Sequence, residues 1–401
     1  MRFPGSLMSD PASSNHPMLR LTEGGPTYRM EKRLGLIREQ SPRAARRVLF
    51  FIVVTWVPLL VLSEWQGTAI GDRVVVPFLR DIAVHARLLL AMPLLVLAEV
   101  LLGPHLAEAA IHFVDSGLVV REDFKRFDNA VERALSWRDS LIPELVLLLL
   151  AYTFATISWK SMAVHVSTWL AISTVPTVSL TWAGWWLVLF CTPFFHFLLL
   201  RWFWRLFLWG QFLWRMSKLD LQLIPTHPDE AAGLGFVGKA NQFFSAVLLS
   251  ASIAAAGALA NSIVYDNIPL PRFGPAIAVY VFFAVLIFIA PLCVFSPLLI
   301  RTKRIGIFQY GTLATEYASS FHKKWIDRSA PREEGLLGTS DIQSLADLGN
   351  SFSFIEEMRP LPTGPRTLVI FALACVVPMF PLLLTMMPLK ELLRVFVQFM
   401  L

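Results

Sequence analysis

Seven apolar runs of roughly twenty residues, separated by polar segments, constrain this chain more than any other feature. They are Arg46–Glu64, Arg87–Gly103, Leu141–Trp159, Trp182–Leu200, Gln242–Val264, Phe273–Ile300 and Thr367–Pro388. About 20 helical residues cross a ~30 Å hydrocarbon core. Backbone polar groups in lipid must bond within their own segment, so such runs are helices. Composition agrees, with 55% hydrophobic and only 16% charged residues in a chain of 401, where soluble domains carry about 25% charged. The fold class expected is all-α, a polytopic transmembrane bundle of about seven spans with helical extensions on one side. Pro378, Pro381 and Pro388 interrupt the last run, which leaves open whether it spans fully. Pro58, Pro93, Pro193 and Pro291 lie inside other runs and predict kinks there.

The basic residues give an orientation. Of 35 Lys and Arg, nine lie in residues 1–47, five in 104–140, five in 201–241 and nine in 301–366, against six on the opposite side. Cytoplasmic loops carry the excess of Lys and Arg, so the amino terminus and these four segments are expected in the cytoplasm. The net charge of +6 sits on no basic soluble domain, so nucleic acid is not an expected partner. The bilayer is, and its anionic headgroups suit the basic segments. A second copy or a cytoplasmic protein partner stays open. Cys191, Cys293 and Cys375 all fall in apolar runs and form neither a disulfide framework nor a zinc spacing.

Residues 1–45 are polar and basic, rich in Pro, Ser and Gly, and hold no apolar core of a signal peptide. They read as a flexible arm. Residues 46–401 read as the transmembrane domain, with helical loops 104–140, 201–241 and 301–366. The stretch Trp182–Trp214 is about 50 Å long as one helix, too long for one crossing, so its second half is expected to lie along the interface. A further helix is expected over Asp341–Met358, ending before Pro360.

Three stretches, "DIQSLADLGNSFSFIEEMRPLP", "THPDEAAGLGF" and "PMFPLLLTMMPLKELL", resemble recurring segments of an uncharacterised family of bacterial polytopic inner-membrane proteins. The resemblance extends over most of the chain after the arm. It implies a bacterial inner membrane; it implies no activity, and it carries over no site residue.

Candidate sites come from the residues themselves. In "IPTHPDEAAGLGFVG" the Thr226-x-x-Asp229 spacing suits a capping box, with Pro228 in the first turn. His227 beside Asp229 and Glu230 suits an interfacial cap that senses pH. Gly233-x-Gly235-x-x-Gly238 matches a dinucleotide fingerprint in letters only, since no strand precedes it; a helix start that holds a phosphate is the weaker version. A second candidate is His105, Glu108, His112 and Asp115, whose offsets put two imidazoles and two carboxylates on one helix face. That row suits a divalent metal or a proton relay, or is a solvated face where the second span leaves the membrane. Glu99, Glu144 and His196 are ionisable groups within spans, where such groups are costly and mark pathways. Glu64 is expected at the outer interface. No cofactor is legible, and no hydrolase, zinc-protease or nucleotide-loop signature occurs. A channel or transporter of unknown substrate ranks first. A membrane scaffold or signalling component acting through its cytoplasmic helices ranks second, and a metal-dependent membrane enzyme third.

Overall fold

The structure is a computed structural model and describes residues 16–37, 44–162, 168–174, 177–327, 329 and 340–386. The chain is an all-α bundle of an integral membrane protein. Helix α1 covers Pro26–Arg33. The spans are α2 (Ala44–Trp65) and α3 (Ile82–Asp115). After α4 (Phe124–Asp139) comes α5 (Leu141–Met162). A hairpin of β1 (Ala171–Thr174) and β2 (Thr177–Leu180) precedes α6 (Trp182–Met216). Then follow α7 (Gly235–Tyr265), α8 (Leu270–Ile326), α9 (Ser340–Glu357) and α10 (Pro365–Thr385). Among the described residues six helices are long and apolar enough to cross a membrane, and α4 with α5, bent by 49° at their junction, makes up to seven. The hairpin, with Ala171 opposite Leu180, was not expected in an all-helical chain.

Lipid-like surroundings are legible in the exposed side chains. Leu145, Val146, Leu148 and Leu149 on α5 and Phe282, Phe283, Leu286 and Ile287 on α8 are exposed. Among them a soluble fold would strand a contiguous apolar surface in water. Inside, Trp209, Phe212, Phe113, Phe127, Phe244, Phe295 and Phe371 are fully buried and form the core.

The prolines act through their missing donor. Pro93 and Pro193 each follow a turn widened to i→i+5, in which Met92 N–H donates to Arg87 C=O and Thr192 N–H to Leu187 C=O. A wider turn relieves the clash between the ring and the carbonyl one turn back. At Pro291 the helix instead tightens to three residues per turn over Ala290–Phe295.

The two ends differ. At the far end the 66–81 loop, Trp169 just before the hairpin and Asn261 near the end of α7 meet on Asp81. This buried carboxylate accepts from Trp169 Nε1 at 2.8 Å, Asn261 Nδ2 at 2.8 Å and Val84 N–H at 3.1 Å. At the polar end, α4, residues 16–37, the 217–234 loop and the α8–α9 pair form a layer on the bundle. Helix α6 does not turn along the interface as expected. It continues unbroken into this layer, where Arg201, Trp202, Arg205, Leu206 and Met216 are buried, because α4 and α1 supply the cover that lipid headgroups were assumed to supply. Helix α9 starts one residue before its expected position. Its Asp341 accepts from Lys324 Nζ at 2.7 Å and Trp325 Nε1 at 2.9 Å on α8.

The flexible-arm expectation fails for residues 16–37. Leu19, Leu21 and Leu36 are buried, and so is Glu31. Gly103 of α3 lets this segment approach, since a Cβ there would collide with the Thr22 side chain. The remaining arm residues, 1–15 and 38–43, lie outside the described residues.

Candidate functional site: a buried arginine–glutamate network

Three arginines and three glutamates meet where the spans enter the polar layer. Glu99 of α3 lies at the centre, with its Oε2 2.5 Å from Arg47 Nη2 of α2 and its Oε1 2.7 Å from Arg205 Nη2 of α6. Arg201 Nη1, one turn earlier on α6, is 3.7 Å from Glu99 Oε1 and 3.9 Å from Glu31 Oε1. Glu31, from α1, places Oε2 2.6 Å from Arg47 Nη2. Glu144, at the start of α5, is 4.0 Å from Arg201 Nε and accepts from Thr27 Oγ1 at 2.9 Å and Thr27 N–H at 3.1 Å. The side chains of Arg47, Arg201, Arg205, Glu31 and Glu99 are each below 10% exposed.

Three acids against three guanidiniums balance in charge, and charges buried this deeply require such pairing. The hydrogen bonds do not balance. Arg47 Nε, Arg201 Nη1 and Arg205 Nη1 are buried without a hydrogen-bond acceptor among the described residues, and Glu31 Oε2 is buried without a well-aligned donor. Arg205 also lies 4.6 Å over the Trp202 ring, whose Nε1 donates to Leu95 C=O at 3.0 Å. Burial and the neighbouring Glu99 carboxylate push the Glu31 carboxyl above its ordinary value, against the pull of Arg47 and Arg201.

A cavity of about 660 Å³ opens beside the network, lined by Arg20, Thr22, Glu23, Tyr28, Lys32, Arg47, Glu99 and Arg138 together with apolar side chains. Residues 16–37 form one wall. Polar contacts hold much of that wall: Gly25 N–H donates to Asp139 at 2.8 Å, Arg138 donates to Arg20 C=O at 2.5 Å, and His16 Nδ1 meets Asp128 at 2.7 Å.

The sequence singled out Glu99 and Glu144 of this group, but not Glu31, Arg47, Arg201 or Arg205. The missed arginines read as orientation signals, and Glu31 sat in a segment read as flexible. The one sequence signal was Arg201 with Arg205, which at a four-residue spacing share a helix face with each other.

The other candidates lie elsewhere. His196 is half-buried, with Nδ1 2.8 Å from Thr192 C=O. Glu64 is exposed at the end of α2. In the row on α3, the His105 ring lies 3.7 Å from Phe243 and the His112 ring 4.5 Å from Phe236, both on α7, while Glu108 and Asp115 are exposed. Among the described residues no three His, Cys, Asp or Glu side chains group as metal ligands.

The stretch 224–238 is a turn system, and the capping box is not its mechanism. The helix begins at Gly235, nine residues beyond Thr226. Asp229 caps it from within the loop: its carboxylate accepts from the N–H groups of Ala231 at 2.9 Å, Gly233 at 3.1 Å and Gly235 at 2.7 Å. The amides expected to hold a phosphate thus hold this chain's own carboxylate. Burial alone would raise the Asp229 carboxyl, but the three amides and His227 bring it below the ordinary value. His227 Nδ1 lies 2.8 Å from Asp229 Oδ1 and 3.3 Å from Asp229 N; a neutral ring accepts from that amide and a protonated one donates to the carboxylate. Glu230 and Ala232 adopt φ of 54° and 55°, a region that costs non-glycine residues energy and persists only under tertiary constraint. The constraint is Arg359, whose Nε donates to Glu230 Oε2 at 2.7 Å and whose N–H donates to Glu230 C=O at 2.8 Å. Behind it, Gly238 packs so closely that a Cβ would collide with Pro362 C=O. Two of the stretches that carried the family resemblance therefore dock on each other.

Comparison with protein-family models, curated proteins and solved structures gave no match.

Proposed function

We propose that this chain is a transporter or channel of the bacterial inner membrane, with the polar layer in the cytoplasm and the cavity beside Glu99 as the solute entrance. The single observation behind this reading is the buried network at the cavity wall. Charges inside a membrane bundle are expensive and are kept where a solute, ion or proton passes. This network leaves guanidinium donors and the Glu31 Oε2 acceptor unmatched where a structural clasp would pair them. The orientation rests on the Lys/Arg asymmetry. The test is flux into proteoliposomes containing the purified chain, measured for a panel of small anions and for protons. Flux above empty liposomes, abolished by Leu135→Trp, is the expected result. That substitution fills the cavity wall without touching a charge. No flux for any solute would refute the reading.

A second reading, a scaffold or signalling component, has its own observation. Helix α8 runs past the bundle and pairs with α9, leaving Phe308, Leu313 and Ile342 exposed on the pair. Exposed apolar side chains on a polar layer are a docking signature, and this reading would gain if flux were absent.

A further inference from the structure

We propose that Glu31 is an internal stand-in for a small carboxylate ligand: helix α1 seats its carboxylate on Arg47 and Arg201, and an external carboxylate that takes this seat releases α1 from the bundle. The inference rests on the reading of the network as a solute entrance and names the class of that solute. Its test reads binding and amide exchange, so it stands or fails apart from flux.

Helix α1 is held by a charge. Of its eight residues, Pro26–Arg33, Glu31 alone is buried. Met30 and Leu34 beside it are exposed. A helix on a bundle ordinarily buries an apolar stripe. The apolar anchors of this segment, Leu19, Leu21 and Leu36, lie before and after α1. The other moorings of α1 are polar, with Thr27 Oγ1 donating to Glu144 at 2.9 Å and Gly25 N–H donating to Asp139 at 2.8 Å. Elements with few buried apolar contacts open locally at low cost, so α1 can lift while Leu19 and Leu21 stay in place.

The seat compensates charge without aligning hydrogen bonds. Glu31 Oε2 lies 2.6 Å from Arg47 Nη2 without a well-aligned donor. Glu31 Oε1 is 3.9 Å from Arg201 Nη1, beyond hydrogen-bond distance, and that Nη1 finds no acceptor among the described residues. Burial and the Glu99 carboxylate also act against the ionised Glu31 and hold its carboxyl above the ordinary value. With Glu31 withdrawn, Arg47, Arg201 and Arg205 face only Glu99 and Glu144. One buried positive charge is then unpaired, a costly state that a bound anion relieves. A free carboxylate carries no helix and can align with guanidinium donors as Glu31 does not. The way to the seat is the cavity, which Arg47 and Tyr28 of α1 both line.

The test uses the full-length protein in a neutral detergent. Sodium acetate is the probe, sodium chloride at equal ionic strength the reference, and acetamide the uncharged isostere. In the wild type, amide hydrogen exchange over residues 27–33 is expected to run at least about threefold faster in acetate than in chloride. Glu31→Gln removes the competing charge without adding bulk. The wild type binds acetate against its own carboxylate, so acetate should raise the melting temperature of Glu31→Gln at least about twice as much as that of the wild type. A charge-balanced Glu31→Gln, Arg201→Gln double variant should lose the extra rise. The exchange measurement needs no substitution, so it decides the matter if Glu31→Gln does not fold. Equal exchange of α1 in acetate and chloride, an acetate effect no larger in Glu31→Gln than in the wild type, or acetamide acting as acetate does would each overturn the proposal. Both effects without flux of any solute would keep the seat as a ligand site and refute transport; flux without them would keep transport and remove the seat.

Discussion

Two buried carboxylates at opposite ends of the bundle have been made stable in different ways. Asp81 takes three neutral donors, from Trp169, Asn261 and the Val84 amide. Val84 belongs to the helix that Asp81 caps, while Trp169 and Asn261 come from other segments, so the acid ties the start of α3 to the chain before the hairpin and to α7. Glu99 takes guanidinium groups from Arg47 and Arg205, and the arginines around it retain donors that nothing accepts. The first acid needs an acceptor oxygen and hardly needs a charge. The second is there to balance charge, and its surroundings still have binding capacity. A buried acid whose partners are all satisfied is architecture; one whose partners are left partly unsatisfied is where a ligand or a proton has somewhere to go.

Removing charge without changing shape separates the two. Glu99→Gln leaves Arg205 buried without its counter-ion and Arg47 with Glu31 alone, and breaking buried pairs of this type typically costs about 3–5 kcal/mol. Asp81→Asn keeps the oxygen that accepts from Asn261 and Val84, loses the one that accepts from Trp169, and should cost about 1 kcal/mol. Thermal unfolding in detergent checks both, and equal losses would erase the distinction.

Asp229→Ala is expected to fall between these, at about 2 kcal/mol, because three amides lose a charged acceptor. The pH dependence follows from the sign of the Asp229 shift. Its carboxyl is lowered in the folded state, so its contribution is complete above the ordinary carboxylate range near pH 4 and disappears as pH falls below that through the folded value. Melting temperatures taken from about pH 6 down to pH 3 should therefore drop more steeply for the wild type than for Asp229→Ala. The smallest effect should be that of Arg359→Lys. It breaks the two-pronged contact with Glu230 at a site about one-third exposed, where ion pairs contribute about 0–1 kcal/mol. Its main readout is faster proteolysis of the 224–235 loop.

The spans were legible because length and apolarity are local properties, and Leu141, Trp182 and Thr367 each mark a helix at or close to its observed start. The hairpin was not, since eight residues such as "AIST" and "TVSL" give too short a pattern to separate from loop. The network was legible only in part. Glu99 stood out as an acid in an apolar run, but pairing it with Glu31 requires knowing that residues 16–37 fold back onto α3. The buried Leu19, Leu21 and Leu36 were the signal for that, and they were diluted by the surrounding Arg, Pro and Ser. In 224–238 the residue types pointed correctly to a helix start and chose the wrong cap. Thr226 has the spacing, but Asp229 reaches three amides because Glu230 and Ala232 adopt left-handed backbone that no spacing rule anticipates.

In the proposed transport reading, the network beside the cavity serves the passage of a solute more than it serves stability. Buried ion pairs replaced by apolar side chains of similar volume are often neutral or stabilising, so the claim has a direct test in Glu31→Leu, Arg47→Met, Glu99→Met and Arg205→Met combined, a charge-balanced change that keeps Glu144 with Arg201. Solute flux into proteoliposomes, per folded molecule, is the measurement. On the transport proposal this variant inserts and melts within a few degrees of wild type yet carries no flux; wild-type flux through the fourfold variant would contradict it.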